Sequence, residues 1–294
     1  MLSLQLKDIP LPHAQNYLQH AIGPRPICFA STIDLAGNIN LSPFSFFNLF
    51  STNPPVIIFS PCRRVRDNTT KHTLQNILEV PEVVVNIVTY EILQQTSLSS
   101  CEYPKGVDEF AKAGLHKEPS LLIQPPRVKE SPVQMECRVL EVKQLGTEAG
   151  AGNLVIAEIL IMHINESILN EKGFIDQRKL DLAARLGGDW YTRANASTIF
   201  ELEKPNMLCG IGVDVLPENI RTSTILTGNN LGQLGNVHEY PVIDPLFEDE
   251  RLVSIFEYYA IDPDEMEEEL HKYAKELLED GKVNAAWQVL LAMN

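Results

Sequence analysis

The stretch "FSPCRRVRDNTTKHTLQNI", residues 59–77, gathers side chains suited to anion chemistry. Arg63, Arg64, Arg66, Lys71 and His72 stand there against one acid, Asp67. The 294-residue chain holds 24 Lys and Arg against 39 Asp and Glu, a formal net charge of −15. By simple proportion a ten-residue window would contain about one base. A helix N-terminus offers unpaired backbone N–H groups and about half a positive charge. With Lys71, Thr73 and an arginine beside it, such a terminus holds a dianionic phosphate. The alternative is an exposed loop whose charges only solubilise it. Arg63, Arg64 and Arg66 do not all face one phosphate if the segment is extended, because alternate side chains point apart.

Holding that turn requires a rigid frame, and the pattern supplies strands. "PICFASTID" and "INLSPFSFF" flank the turn-rich "LAGN", and "PPVIIFSP" is a third strand bounded by prolines. Thr69 or Thr70 is expected to cap the helix "KHTLQNILEV", which Pro81 stops. "EVVVNIVT" reads as a buried strand. Residues 89–100 read as helix, and "CEYPKGVDEFAKAGL" as a loop entering a short helix, the "YPKGVDEF" part being either a lid or a plain surface loop. From Ser131, "VQMECRVLEVKQL" and "NLVIAEILIMHIN" form a hairpin across the Gly-rich "GTEAGAG". Strands do not alternate with helices at βαβ spacing, so we expect a mainly β, antiparallel barrel with inserted helices.

The tail differs in kind. In "DPDEMEEELHKYAKELLEDG", Asp262 is the expected N-cap, Pro263 occupies N1 and Gly281 follows the end. Met266, Leu270, Tyr273 and Leu277 make one apolar stripe, and the acids Glu267, Glu268 and Glu269 read as a solvated face or a partner-docking surface. A last helix, "KVNAAWQVLLAMN", is apolar enough to pack on the body or on a second subunit. The expected division is a domain over residues 1–204 and an extension over 205–294, comprising a Gly/Asn-rich loop and two helices.

Several function classes are disfavoured. The acidic total argues against nucleic acid or an anionic membrane as general partners. No apolar run reaches bilayer length, and the first residues lack a basic stretch followed by an apolar one, so a cytoplasmic location is expected. The five cysteines are widely separated and the seven histidines lack metal-ligand spacing, so reduced thiols and no metal are expected. Neither G-x-G-x-x-G after a strand nor a P-loop, G-x-S-x-G or H-E-x-x-H pattern occurs.

"RPICFASTIDLAGNINLSPFSFFNLFSTNPPVIIFSP" runs as RP, a small-residue strand ending in ST, D-x-x-G-x-x-N, S-P-F-S-x-F and S-x-x-P-P before an apolar strand. This order, followed by "KHTLQNI", resembles the flavin reductase-like, FMN-binding split-barrel family over about residues 20–200. His72 departs from the family's usual aspartate, which leaves the role of that position open.

The resemblance implies a split barrel and an FMN site, with FMN preferred over FAD. Ser31, Thr32, Ser45, Phe46, Phe47, Asn48, Ser60 and Pro61 then lie along the ring slot. Arg66, Lys71, His72 and Thr73 lie at the phosphate. Only one of Phe46 and Phe47 can face the slot from an alternating strand. "RLGGDWYTR" resembles a Gly-Gly-aromatic segment that lies near the flavin in the family, which adds Gly188 and Tyr191. The implied activity is hydride transfer from NAD(P)H, a transient co-substrate, to flavin in a homodimer. No catalytic side chain is implied, since the cofactor performs the chemistry. An electron carrier, or an interaction protein of the same fold, is the alternative, and an electron-accepting partner protein is left open.

Overall fold

A computed structural model describes residues 1–202 and 208–292. The chain divides into two compact units, Met1–Phe200 and Glu201–Asn294. The boundary expected between residues 204 and 205 lies outside the described residues, as do the last two residues of the expected terminal helix.

In the first unit, helix α1 (Leu11–Ala21) precedes strands β1 (Arg25–Pro26), β2 (Cys28–Ile33), β3 (Ile39–Phe44), β4 (Phe47–Thr52) and β5 (Pro55–Phe59). Helix α2 (His72–Glu79) leads into β6 (Glu82–Ile87), then α3 (Leu93–Ser99), α4 (Glu109–Ala113), β7 (Lys117–Glu118) and β8 (Arg127–Val128). The hairpin β9 (Val133–Gln144) and β10 (Asn153–Ile164) is followed by α5 (Gln177–Leu180), β11 (Leu182–Arg185) and β12 (Tyr191–Ala194).

Seven strands form one antiparallel sheet in the order β3-β2-β6-β9-β10-β5-β4. Its two edges, β3 and β4, are consecutive in the chain and joined only by Ser45 and Phe46. A link that short spans about 10 Å at most. The sheet must therefore curl until its edges nearly meet, which gives a barrel with a split at Ser45–Phe46. Cys28, Ala30, Phe59, Val83, Val85, Cys137 and Val155 fill the interior. A second cluster, around Phe29, Leu41, Val88 and Phe110, packs on the outer side of β2 and β3. Strand β5 pairs with β10 and not with β6, so the connection bearing the basic turn and α2 crosses between the two halves of the sheet.

Two elements depart from expectation. The run "INLSPFSFF" is two strands broken at Ser45–Phe46, a turn that no Gly, Asn or Asp marks in the sequence. Helix α1 was also unforeseen. It begins at Pro10–Leu11 with Pro12 in its first turn, and at its end the Ile22 N–H donates to Leu18 O.

In the second unit, helices α6 (Glu218–Arg221), α7 (Gly228–Gly235), α8 (Glu250–Tyr258), α9 (Pro263–Glu279) and α10 (Val283–Leu291) surround their own core. The Gly/Asn-rich segment expected as a loop is helical at α7. Thr227 and Asn230 form a reciprocal capping box there, and Leu234 is fully buried, which offsets the low helix propensity of glycine. Asp262 caps α9 as expected, accepting from Glu265 N at 3.1 Å. The stripe Met266, Leu270, Tyr273 and Leu277 is buried within this unit together with Trp287 of α10. The charge is divided very unequally: residues 1–200 hold 20 acids and 18 bases, residues 201–294 hold 19 and 6.

Candidate functional site

The basic turn is tied down from both ends. Arg63 donates to the side chain and carbonyl of Asn68, which closes a tight loop. Arg64 donates to Thr69 Oγ1 at 2.9 Å and to the Thr70 carbonyl, so Thr69 and Thr70 do not cap α2. Lys71 occupies the N-cap position in an extended conformation without a side-chain cap bond, and Thr70 Oγ1 accepts instead from Gln75. The first N–H groups of α2 have no intrahelical partner.

Glu102 bridges Arg64 at 3.0 Å and Arg66 at 2.6 Å. Among the described residues, no carboxylate lies within ion-pairing distance of Lys71. Its ammonium is pushed below the ordinary lysine value by burial, then by the Arg64 charge. His72 is pushed below the ordinary histidine value by burial and then by Arg64, Lys105 and Lys71. Thr73 is fully buried and donates to Asn40 Oδ1 at 2.6 Å.

Beside this turn, beneath α1, lies a cleft of two lobes that meet at Ser45, Phe46, Ser60, Cys62 and Gly150. The basic lobe, about 490 Å³, is lined by Arg64, Arg66, Lys71 and Glu102. The other, about 550 Å³, is largely apolar, with Leu18, Ile22, Phe46, Phe50 and Leu154. Both lie in the range of small-molecule sites.

The expected ring-slot residues divide. Ser45, Phe46, Phe47, Asn48 and Ser60 line the cleft, Phe46 being half exposed at the split while Phe47 packs partly on the barrel interior. Asn48 turns its Oδ1 to the Leu49 N–H. Ser60 Oγ accepts from Asn153 N at 3.1 Å, and the buried Pro61 contributes its carbonyl to Asn153 Nδ2. Ser31 and Thr32 are not among the residues lining the cleft: both are fully buried in β2, with Thr32 Oγ1 accepting from Asn76. The "YPKGVDEF" segment is no free lid. Lys105 approaches Asp34 at 3.5 Å, and the buried Glu109 accepts from Asn40 Nδ2 at 2.8 Å and from Leu41 N at 3.1 Å.

Gly188 and Tyr191 lie across the split, where Tyr191 lines a third cavity of about 360 Å³ that shares Pro43, Phe44 and Ser45 with the basic lobe. Gly188 has φ +56° and its carbonyl accepts from Arg185. Its neighbour Gly187 is required by close approach, since a Cβ there would sit 2.3 Å from the His20 ring of α1.

Sequence reasoning missed Arg25. This buried guanidinium donates to the carbonyls of Gln19 and Ile22 at the end of α1 and to Leu186 O at 2.8 Å. It thereby fastens the roof of the cleft to the residue just past β11, and it lies 6.0 Å from the Phe46 ring centre. The dipeptide RP was the available signal, because an arginine before a strand proline must direct its charge somewhere.

Residues 22–181 match the flavin reductase-like domain. The chain belongs to the flavin reductase-like domain family. A protein of Aquifex aeolicus is 37% identical over 171 residues, 58% of this chain and 85% of that protein. Nitrilotriacetate monooxygenase component B from Bacillus cereus is similar in structure, with TM-score 0.64 and 30% identity, covering 69% of this chain and 98% of that one. A Shewanella frigidimarina protein with a split barrel domain gives TM-score 0.58 at 25% identity, covering 68% and 96%. The flavin reductase-like match ends before the second unit begins.

Proposed function

We propose that the protein binds FMN in the two-lobed cleft and acts as an NAD(P)H-dependent flavin oxidoreductase. The observation that carries this is the cleft's polarity: one end holds an unpaired Lys71 at a helix N-terminus, and the other is an apolar slot under α1. That donor set fits a terminal phosphate joined to a flat apolar ring. Lys71, Arg64 and the first N–H groups of α2 would hold the phosphate, and Arg66 is within the same lobe. Phe46, Leu18 and Ile22 would cover the ring, while Ser45 and Asn48 supply polar groups at the split. A bound flavin supplies a two-electron acceptor for a nicotinamide hydride, and the residues of the chain orient it and exclude water.

FMN is preferred because the sequence carries no dinucleotide fingerprint. A homodimer in the cytoplasm is part of the same proposal. Phe46, Leu49, Phe50 and Leu145 are exposed beside the apolar lobe, which leaves one wall open to a second copy. The test is direct. Purified protein loaded with FMN should be yellow, and NADH or NADPH should bleach it anaerobically. Stoichiometric FMN binding with no bleaching by either nucleotide would leave an electron carrier; no FMN binding would overturn the reading.

A further inference from the structure

Arg25 and Arg185 are direct cross-strand partners in the antiparallel pair β1–β11. Like charges placed opposite each other are unfavourable, so such a pair needs compensation. Arg25 finds it in three backbone carbonyls. Arg185 does not: it stacks on Tyr191 at 4.5 Å and donates to one carbonyl, Gly188 O. Among the described residues no carboxylate reaches it within ion-pairing distance, although Asp189 lines the same cavity. The proximity is felt by Arg25, whose guanidinium is lowered by burial and then by the Arg185 charge.

The cavity at Arg185 has a mixed lining. Ile27, Phe44 and Leu93 give it an apolar side, and Thr96, Ser97 and Ser100 place hydroxyls opposite. Thr96 and Ser100 donate to backbone carbonyls of their own segment, so they offer lone pairs, while the hydroxyl of the exposed Ser97 has no partner among the described residues. The cavity opens onto the cleft through Pro43, Phe44 and Ser45.

We propose that this cavity is a second ligand site that takes a small planar organic carboxylate, with Arg185 and Ser97 meeting the carboxylate and Ile27, Phe44 and Leu93 the hydrocarbon face. Its role as the seat of a reactant beside the flavin rests on the function proposed above; its preference for an anion does not. A guanidinium already stacked and neutralised by no acid loses little freedom when it pairs with a carboxylate.

The probes are benzoate and its neutral isostere benzamide, titrated calorimetrically into the full chain with and without FMN. Benzoate should bind about ten- to a hundredfold more tightly than benzamide, the range of a charged hydrogen bond. Arg185→Gln should erase that difference while leaving FMN affinity unchanged. Because Arg185 belongs to a strand, Ser97→Phe provides a second variant, filling the cavity from an exposed helix position. It should abolish benzoate binding and spare FMN. Equal binding of the two probes, or benzoate binding that survives both variants, would overturn the proposal. So would strict competition between benzoate and FMN, since the cavity would then belong to the flavin cleft. Benzoate binding to a chain that takes no FMN would instead sink the flavin reading and leave this site standing.

Discussion

Thr73 Oγ1 donates to Asn40 Oδ1 at 2.6 Å, both side chains being buried. Asn40 Nδ2 donates onward to Glu109, which fixes the amide's orientation and makes Thr73 the donor. The single hydroxyl proton of Thr73 is therefore unavailable to a phosphate, and Thr73 can serve an anion through its backbone N–H. Thr73→Val should cost about 1–3 kcal/mol of stability, the penalty of an orphaned buried acceptor. FMN and riboflavin affinities should change together. A loss confined to FMN, measured by fluorescence titration of both flavins, would show the hydroxyl at the phosphate after all.

Lys71→Ala should weaken FMN but not riboflavin, by about 1.5–3 kcal/mol. The pH dependence follows from the lowered lysine value. The ammonium is charged below that value and loses its proton as pH rises through it, so FMN affinity should fall on the alkaline side before an ordinary lysine would titrate. Riboflavin affinity should stay flat over the same range, and the Lys71→Ala protein should lose the alkaline step.

Glu102 holds Arg64 and Arg66 where a phosphate would meet them. Glu102→Gln should raise FMN affinity about two- to fivefold, the scale of an exposed ion pair. The melting temperature should barely move. A weaker FMN complex would mean that Glu102 organises the arginines and does not compete for them.

Gly187→Ala should drive the His20 ring away and loosen the roof of the cleft. Overpacking of this kind costs about 1–3 kcal/mol. Proteolysis within α1 should accelerate, and adding His20→Ala should restore the wild-type rate.

Tyr273 donates to Asp249 Oδ2 at 2.5 Å in the helical unit, and its hydroxyl is raised to about 12 by burial, then by that bond and the Asp249 charge. An unfolded tyrosine titrates near 10. The stabilisation is complete below pH 10 and is lost as pH rises toward 12, because the unfolded chain releases the proton first. Thermal melts followed by circular dichroism should decline across that window, and Tyr273→Phe should flatten the decline.

Much of the frame was legible because local chemistry and global packing agree there. The hairpin β9–β10, the proline-bounded β5 and the capped α9 each carry a pattern that one fold satisfies. The basic turn was legible as a cluster of bases just before a helix for the same reason. What escaped depends on distant partners. Helix α1 is tied through Arg25 to the distant Leu186 carbonyl, the break at Ser45–Phe46 exists because a barrel must close, and α7 forms despite three glycines among its eight residues because Thr227 and Leu234 anchor it. Ser31 and Thr32 carry the right residue types, but the side chains of both are enclosed.

The unequal division of charge changes how the chain's acidity should be understood. Taken whole, −15 describes a polyanion that would repel an anionic cofactor. With 20 acids against 18 bases, the barrel is close to isoelectric at neutral pH, the condition in which proteins tend to associate and precipitate. The helical unit supplies nearly all of the colloidal repulsion. A first unit whose own charges nearly balance can gather local positive potential at Lys71 and Arg185 with little opposing charge of its own, while the helical unit carries most of the net negative charge.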